Sequence, residues 1–171
     1  MKTKIAALMF LMSLIMTTGY SQEKTKKEIK AEKKLEKQKQ VEAMIDAKEF
    51  VFVARTANPM GMRSVGLTTN PNSVKFQPEL IDSYMPFFGQ AYGGIGYGGD
   101  TGLKFTGKPE VFTVVKNKKN YQIDATVKGE TDLFRISLQV SYEGSASLSI
   151  ISNNRNTISY TGEISAPEKK E

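Results

Sequence analysis

The chain contains no cysteine and no histidine, and each absence removes whole classes of chemistry. Without histidine there is no Ser–His or Cys–His nucleophile pair, no imidazole general base and no imidazole metal site. Without cysteine no disulfide can staple the fold, even in an oxidising compartment that would permit one. Lipid attachment at a cysteine behind a leader is excluded too, so stability has to come from a packed core. Long apolar runs are equally scarce. The longest, residues 5–16, has twelve residues, too few to span a bilayer. Lys2 and Lys4 precede it and Gly19 and Ser21 follow it, which is the layout of a secretory signal peptide over 1–21, cut between Ser21 and Gln22. The sequence therefore predicts a periplasmic or secreted protein with no transmembrane segment and no lipid anchor.

Charge of one sign is also thinly spread. The net charge of +6 suggests a nucleic-acid partner until it is mapped. Two of those charges leave with the leader. Residues 23–48 hold nine lysines against six acidic residues, and residues 49–166 hold eleven basic against ten acidic residues. A nucleic-acid footprint needs a concentrated basic face, and none is available, so no nucleic-acid partner is expected.

Residues 22–48 contain no Gly or Pro and are rich in Lys, Glu, Gln and Ala, which predicts a charged α-helix. Opposite charges recur at helical spacing, as in Glu23 with Lys27 and Lys33 with Glu36. Only Val41, Met44 and Ile45 share an apolar face. The first half is thus expected to be solvated and fraying, with the last turns docked. Peripheral contact of this basic arm with an anionic surface is a functional alternative.

From Glu49 onward the apolar period changes to two. Residues 50–54, Phe-Val-Phe-Val-Ala, are apolar on both sides and predict a central strand covered on both faces. Tyr121, Ile123, Ala125 and Val127 alternate with polar residues, as do Phe134, Ile136, Leu138 and Val140, then Ala146, Leu148 and Ile150, then Ile158 and Tyr160. Turn signals fall at 117–120, Gly129-Glu130, Glu143-Gly144 and 153–156. Further strands are read at 73–77, 103–106 and 110–116. The expected fold is mainly β: an antiparallel meander of eight to ten strands over residues 49–166, curled into a small barrel or split into a sandwich. The charged helix precedes it and a disordered tail, 167–171, follows. Residues 78–85 fit either a short helix opened by Pro78 or a strand.

The remaining chemistry is sparse. Paired carboxylates are the obvious catalysts without histidine, but no spacing brings any two of Glu79, Asp82, Asp100, Glu110, Asp124 and Asp132 together. The tract Gly94-Ile95-Gly96-Tyr97-Gly98-Gly99 satisfies GxGxxG formally, yet lacks the βαβ unit that a dinucleotide fingerprint requires. No cofactor, no metal and no catalytic residue is therefore assigned. The most distinctive stretch is Ser83-Tyr84-Met85-Pro86-Phe87-Phe88-Gly89-Gln90-Ala91-Tyr92, followed at once by glycines. Its aromatics are core material or a binding surface. The candidate ligand- or partner-binding residues are Tyr84, Phe87, Tyr92, Tyr97 and Asp100, and the expected partner is a small apolar ligand or an envelope protein.

This stretch, together with Ala57-Asn58-Pro59-Met60-Gly61 and the closing Ser159-Tyr160-Thr161-Gly162, resembles Bacteroidetes domain-of-unknown-function family 4251 over about residues 48–164. The family block reads Ser-Tyr-Leu-Pro-Tyr-Phe-Gly-Arg-Ala-Tyr. Met85, Phe87 and Gln90 depart from it, which removes a hydroxyl at 87 and a positive charge at 90. The resemblance implies a secreted protein, favours strand–turn–strand at 78–85, and implies no activity. The function expected from the sequence is a non-catalytic binding module. The alternatives are an assembly protein acting through its charged helix, and a carboxylate-based hydrolase of envelope polymer.

Overall fold

The computed structural model describes residues 25–69, 72–92, 102–129 and 132–167. The leader, with its cleavage point, and the end of the tail lie outside them. The chain divides into two units at Lys33 and Lys34, and the first contributes only the exposed opening turns of one helix to the described residues.

That helix, α1 (Lys26–Ala47), opens on a reciprocal cap. The Glu28 backbone N–H donates to Thr25 Oγ1 (3.3 Å) and the Thr25 N–H donates to the Glu28 carboxylate (2.8 Å), so two helix-end donors that would lack partners are satisfied. It ends where Lys48 takes a left-handed conformation, φ 54°. The Lys48 N–H then bonds Ile45 O and the Glu49 N–H bonds Met44 O, a Schellman closure built on lysine instead of glycine. Val41 and Ile45 are buried and Met44 packs against the same core, while Leu35 is exposed. An ion pair between Glu42 and Lys116 ties the docked turns to the barrel. The Lys116 ammonium holds the Glu42 carboxyl below its ordinary pKa, and Glu42 holds Lys116 above its own.

Ten strands follow among the described residues: β1 (Phe50–Pro59), β2 (Val65–Gly66), β3 (Ser73–Gln77), β4 (Leu80–Met85), β5 (Leu103–Gly107), β6 (Pro109–Lys116), β7 (Asn120–Lys128), β8 (Leu133–Ser141), β9 (Ser145–Ser152) and β10 (Ile158–Ser165). They form one antiparallel sheet in the order β5-β4-β3-β1-β10-β9-β8-β7-β6, with β2 paired to β1 off this path. Pairing of β1 with β10 joins two meanders, so the first and last strands of the domain lie side by side. The sheet curls into a nearly closed barrel. Phe105 of β5 stacks on Phe134 of β8 with centroids 4.0 Å apart, and Phe76 of β3 meets Phe112 of β6 edge-on at 6.3 Å. The alternation read from the sequence is the alternation of burial: Tyr121, Ile123, Ala125 and Val127 point inward, as do Phe134, Ile136, Leu138 and Val140. Residues 78–85 resolve as a turn at Pro78-Glu79 followed by β4.

The burial of β1 departs from expectation. The strand is central, but it is not covered on both faces: Phe50, Phe52 and Ala54 are buried, whereas Val51 and Val53 are only half-buried. A single curled sheet has one interior, so the outward valines meet only the polar surface rows of β3 and β10, such as Lys75 and Glu163.

β1 also carries a bulge at Arg55, between Ala54 and Thr56. Gly162 sits opposite, where an added Cβ would lie 2.0 Å from the Val53 carbonyl oxygen. Only glycine lets the two backbones approach this closely. Asn72 serves the bulge from the other side: its carbonyl accepts from the Ala54 N–H, and its side-chain amide donates to Ala54 O and Leu67 O. No helix among the described residues is long and apolar enough to cross a membrane.

Candidate functional site

Beyond β4 the chain leaves the sheet at Pro86, which has no backbone N–H to leave unpaired. Its carbonyl accepts a 2.7 Å hydrogen bond from the Tyr160 hydroxyl. Tyr160 is fully buried, and burial pushes its phenol pKa well above the ordinary value, against a smaller opposing effect of the Arg155 charge. Phe87 turns inward and is 7 % exposed, with the Arg155 guanidinium 5.6 Å from its ring centroid. Gly89 follows because its Cα packs against that ring: an added Cβ would lie 2.8 Å from Phe87 Cζ.

The segment 86–92 is then laced to the turn between β9 and β10. Ala91 forms an antiparallel bridge with Arg155. The Tyr92 N–H donates to Asn154 O (2.7 Å), and the Asn156 N–H donates to Gln90 O (3.1 Å). The Tyr92 hydroxyl donates to Asn156 Oδ1 at 2.7 Å. Arg155 reaches Gly102 O with Nη1 at 2.5 Å, so chain on both sides of the glycine-rich tract is fastened to residues 154–156. Asp132 shapes that turn in its own right. Its carboxylate accepts from the Leu133 and Asn153 N–H groups and from the Ser152 hydroxyl.

The sequence candidates separate in space. Phe87 is interior, and Tyr92, 71 % exposed, stands on the surface at the 154–156 turn. Tyr84 points outward from β4, where the Lys104 ammonium lies 4.0 Å from its ring centroid and donates to its hydroxyl at 2.9 Å. Tyr97 and Asp100 lie outside the described residues. Four of the acidic candidates have structural partners: Glu79 pairs with Lys108, Asp82 accepts from Thr106, Asp124 accepts from the Gln122 amide, and Asp132 organises the turn. No group of three Asp or Glu residues among the described residues is placed to hold a metal ion. Sequence reasoning missed Arg155 and Asn156. Their only signal was a basic residue set among asparagines in what read as a plain turn. The arrangement places an exposed aromatic ring beside amide groups, with no nucleophile–base pair among these residues.

The model of a domain of unknown function, DUF4251, matches residues 32–164 of the chain. The chain belongs to the DUF4251 family. The match takes in most of α1, which the motif resemblance had left out. Among solved structures, the crystal structure of a DUF4251 family protein from Bacteroides eggerthii superposes with a TM-score of 0.62 at 20% sequence identity, covering 76% of this chain and 87% of that one. The likeness shows a shared fold. No curated protein matches the chain. Within the DUF4251 domain, three residues of the family-like motifs have physical explanations: Gly162 admits the β1 bulge, Gly89 admits Phe87, and Tyr160 anchors Pro86.

Proposed function

We propose that this DUF4251 protein is an exported, non-catalytic binding module of the periplasm or cell exterior that meets its partner at the surface formed by Gln90, Tyr92, Asn154 and Asn156. One observation carries this reading: Tyr92 is largely exposed, yet both its backbone N–H and its phenol are hydrogen-bonded to the 154–156 turn. An exposed aromatic that is already ordered loses little conformational freedom on contact, and tyrosine offers large area with a polar tip. The inward side chains of the strands are committed to the core, which favours a surface partner, an envelope protein, over an apolar molecule enclosed in the barrel. The leader-like residues 1–21 support export. The polar opening of α1, with Ile29 and Leu35 exposed, supports the second reading, assembly through the helix.

The test is affinity capture from the envelope fraction of the native cells with wild-type and Tyr92→Ala protein, together with the intact mass of the cellular protein. The expected results are a chain beginning at Gln22 and a captured envelope protein lost from the Tyr92→Ala variant at unchanged thermal stability. An unprocessed chain in the cytoplasm would overturn the export, and equal capture by both proteins would overturn the site.

A further inference from the structure

The curled sheet has two ends, β5 and β6, and they are not equivalent. The free side of β5 lies against its own barrel. Phe105 stacks on Phe134 there, and the Cα of Gly107 approaches β7 so closely that an added Cβ would be 2.9 Å from Val127 Cγ1. β6 is paired with β7 on one side only, and no described strand pairs with its other edge. It is eight residues long, with Phe112 and Val114 packed on the core and Val111, Thr113 and Val115 facing out. Val111 and Val115 are 49 % and 52 % exposed. An edge of this length with β-branched side chains is a template for another strand. Its usual protections, a proline and lysines, stand only at the margins: Pro109 with a bulge at one end, Lys116, Lys118 and Lys119 at the other.

We propose that β6 pairs antiparallel with β6 of a second copy of this chain, about a twofold axis through Thr113. The residue order is self-complementary about that point. Thr113 meets its own counterpart, Val111 meets Val115, Phe112 meets Val114, and Glu110 meets Lys116 of the other copy. Each cross-strand pair is thus alike in character or opposite in charge, the condition under which such pairs stabilise a ladder. A twofold contact uses the same patch on both subunits, so this match needs no second surface. Lys116, already bonded to Glu42, would gain a second carboxylate. A slip of two residues in one direction sets Glu110 against Val114; in the other, Glu110 still meets a lysine, Lys118, but Phe112 is set against Lys116 and Val111 against Asn117. The pairing extends two barrels into one sheet and leaves the Tyr92 surface free on both.

The absence of cysteine makes the register directly testable. Thr113→Cys adds a single thiol that faces itself across the axis, where opposed Cβ atoms in a ladder fall close to disulfide range. The expected result is a disulfide-linked dimer under mild oxidation, forming many times faster than with Ser147→Cys on the exposed face of β9. Mixed Val111→Cys and Val115→Cys proteins are expected to give the heterodimer in preference to either homodimer. Light scattering on the cysteine-free protein is expected to show a concentration-dependent dimer. Glu110→Lys replaces attraction with like-charge repulsion opposite Lys116 of the other copy, and shifts that dimer towards monomer several-fold with an unchanged circular dichroism spectrum. Monomer at every concentration, or cross-linking of Thr113→Cys no faster than of Ser147→Cys, would overturn the pairing. A dimer that ignores Glu110→Lys and fails to cross-link at 113 would overturn it as well, by placing the contact elsewhere.

Discussion

Tyr160 is the residue on which the barrel and the 86–92 segment depend together. Its ring is fully buried and its hydroxyl is the donor that satisfies Pro86 O. Tyr160→Phe keeps the ring and strands that carbonyl, with an expected loss of about 1–3 kcal/mol in urea unfolding. The pH dependence has a definite sign. Burial raises the folded-state pKa above the ordinary 10.0, so folding favours the neutral phenol. That contribution is complete below pH 10.0 and is lost as pH rises through the window above it. Wild-type stability is expected to fall more steeply than that of Tyr160→Phe in alkaline titrations. At this scale the sequence revealed Tyr160 as an inward strand residue by its place after Ile158. It could not reveal the hydroxyl's partner, which lies 74 residues away and is set by how the chain returns across the barrel. Gly162 is similar: a glycine in a strand signals a close approach or bulge, but only the paired β1 shows what it approaches.

At the scale of the element, α1 has two different halves. The opening turns are held by local devices alone, the Thr25–Glu28 cap and propensity, whereas Val41 and Ile45 belong to the core. Ile45→Ala is expected to cost about 2–5 kcal/mol in global unfolding. Leu35→Ala, on an exposed face, should stay within about 0.5 kcal/mol of wild type. Parallel chemical denaturation of the two variants checks the contrast. The apolar trio at 41, 44 and 45 was legible because helical spacing alone puts those residues on one face. The left-handed Lys48 was not, since nothing in lysine's preferences selects that conformation, which closes the helix through the Ile45 and Met44 carbonyls where the chain turns into β1. The strands were legible wherever one face is wet and the other dry. The two-residue β2 left no periodic signal, and β1 misled because valine suits a half-exposed outward position as well as an interior one.

For the whole molecule, closure is the decisive event. β1 and β10 pair although about a hundred residues of chain lie between Pro59 and its partner Ile158, and β5 comes to rest against β7 and β8 without forming a ladder with them. Gly107→Ala drives a methyl group into Val127 and the Lys128 carbonyl. The expected effect is a loss of about 1–3 kcal/mol, with amide exchange in β4 and β5 accelerated more than in β8 and β9. Uniform acceleration across the sheet would show that this seam does not open separately.

The sequence by itself determined the antiparallel sheet, its inward residues, most of its turns and the docked face of the helix. These depend on the periodicity of side chains along a strand or helix, a local property. It also removed histidine and cysteine chemistry outright. Strand order, the unequal free edges of β5 and β6, the separation of Tyr84 from Tyr92, and the role of Arg155 were decided only by tertiary structure. Each depends on residues far apart in the chain meeting in one place, and no local preference encodes which of the possible meetings lets the barrel fill its core.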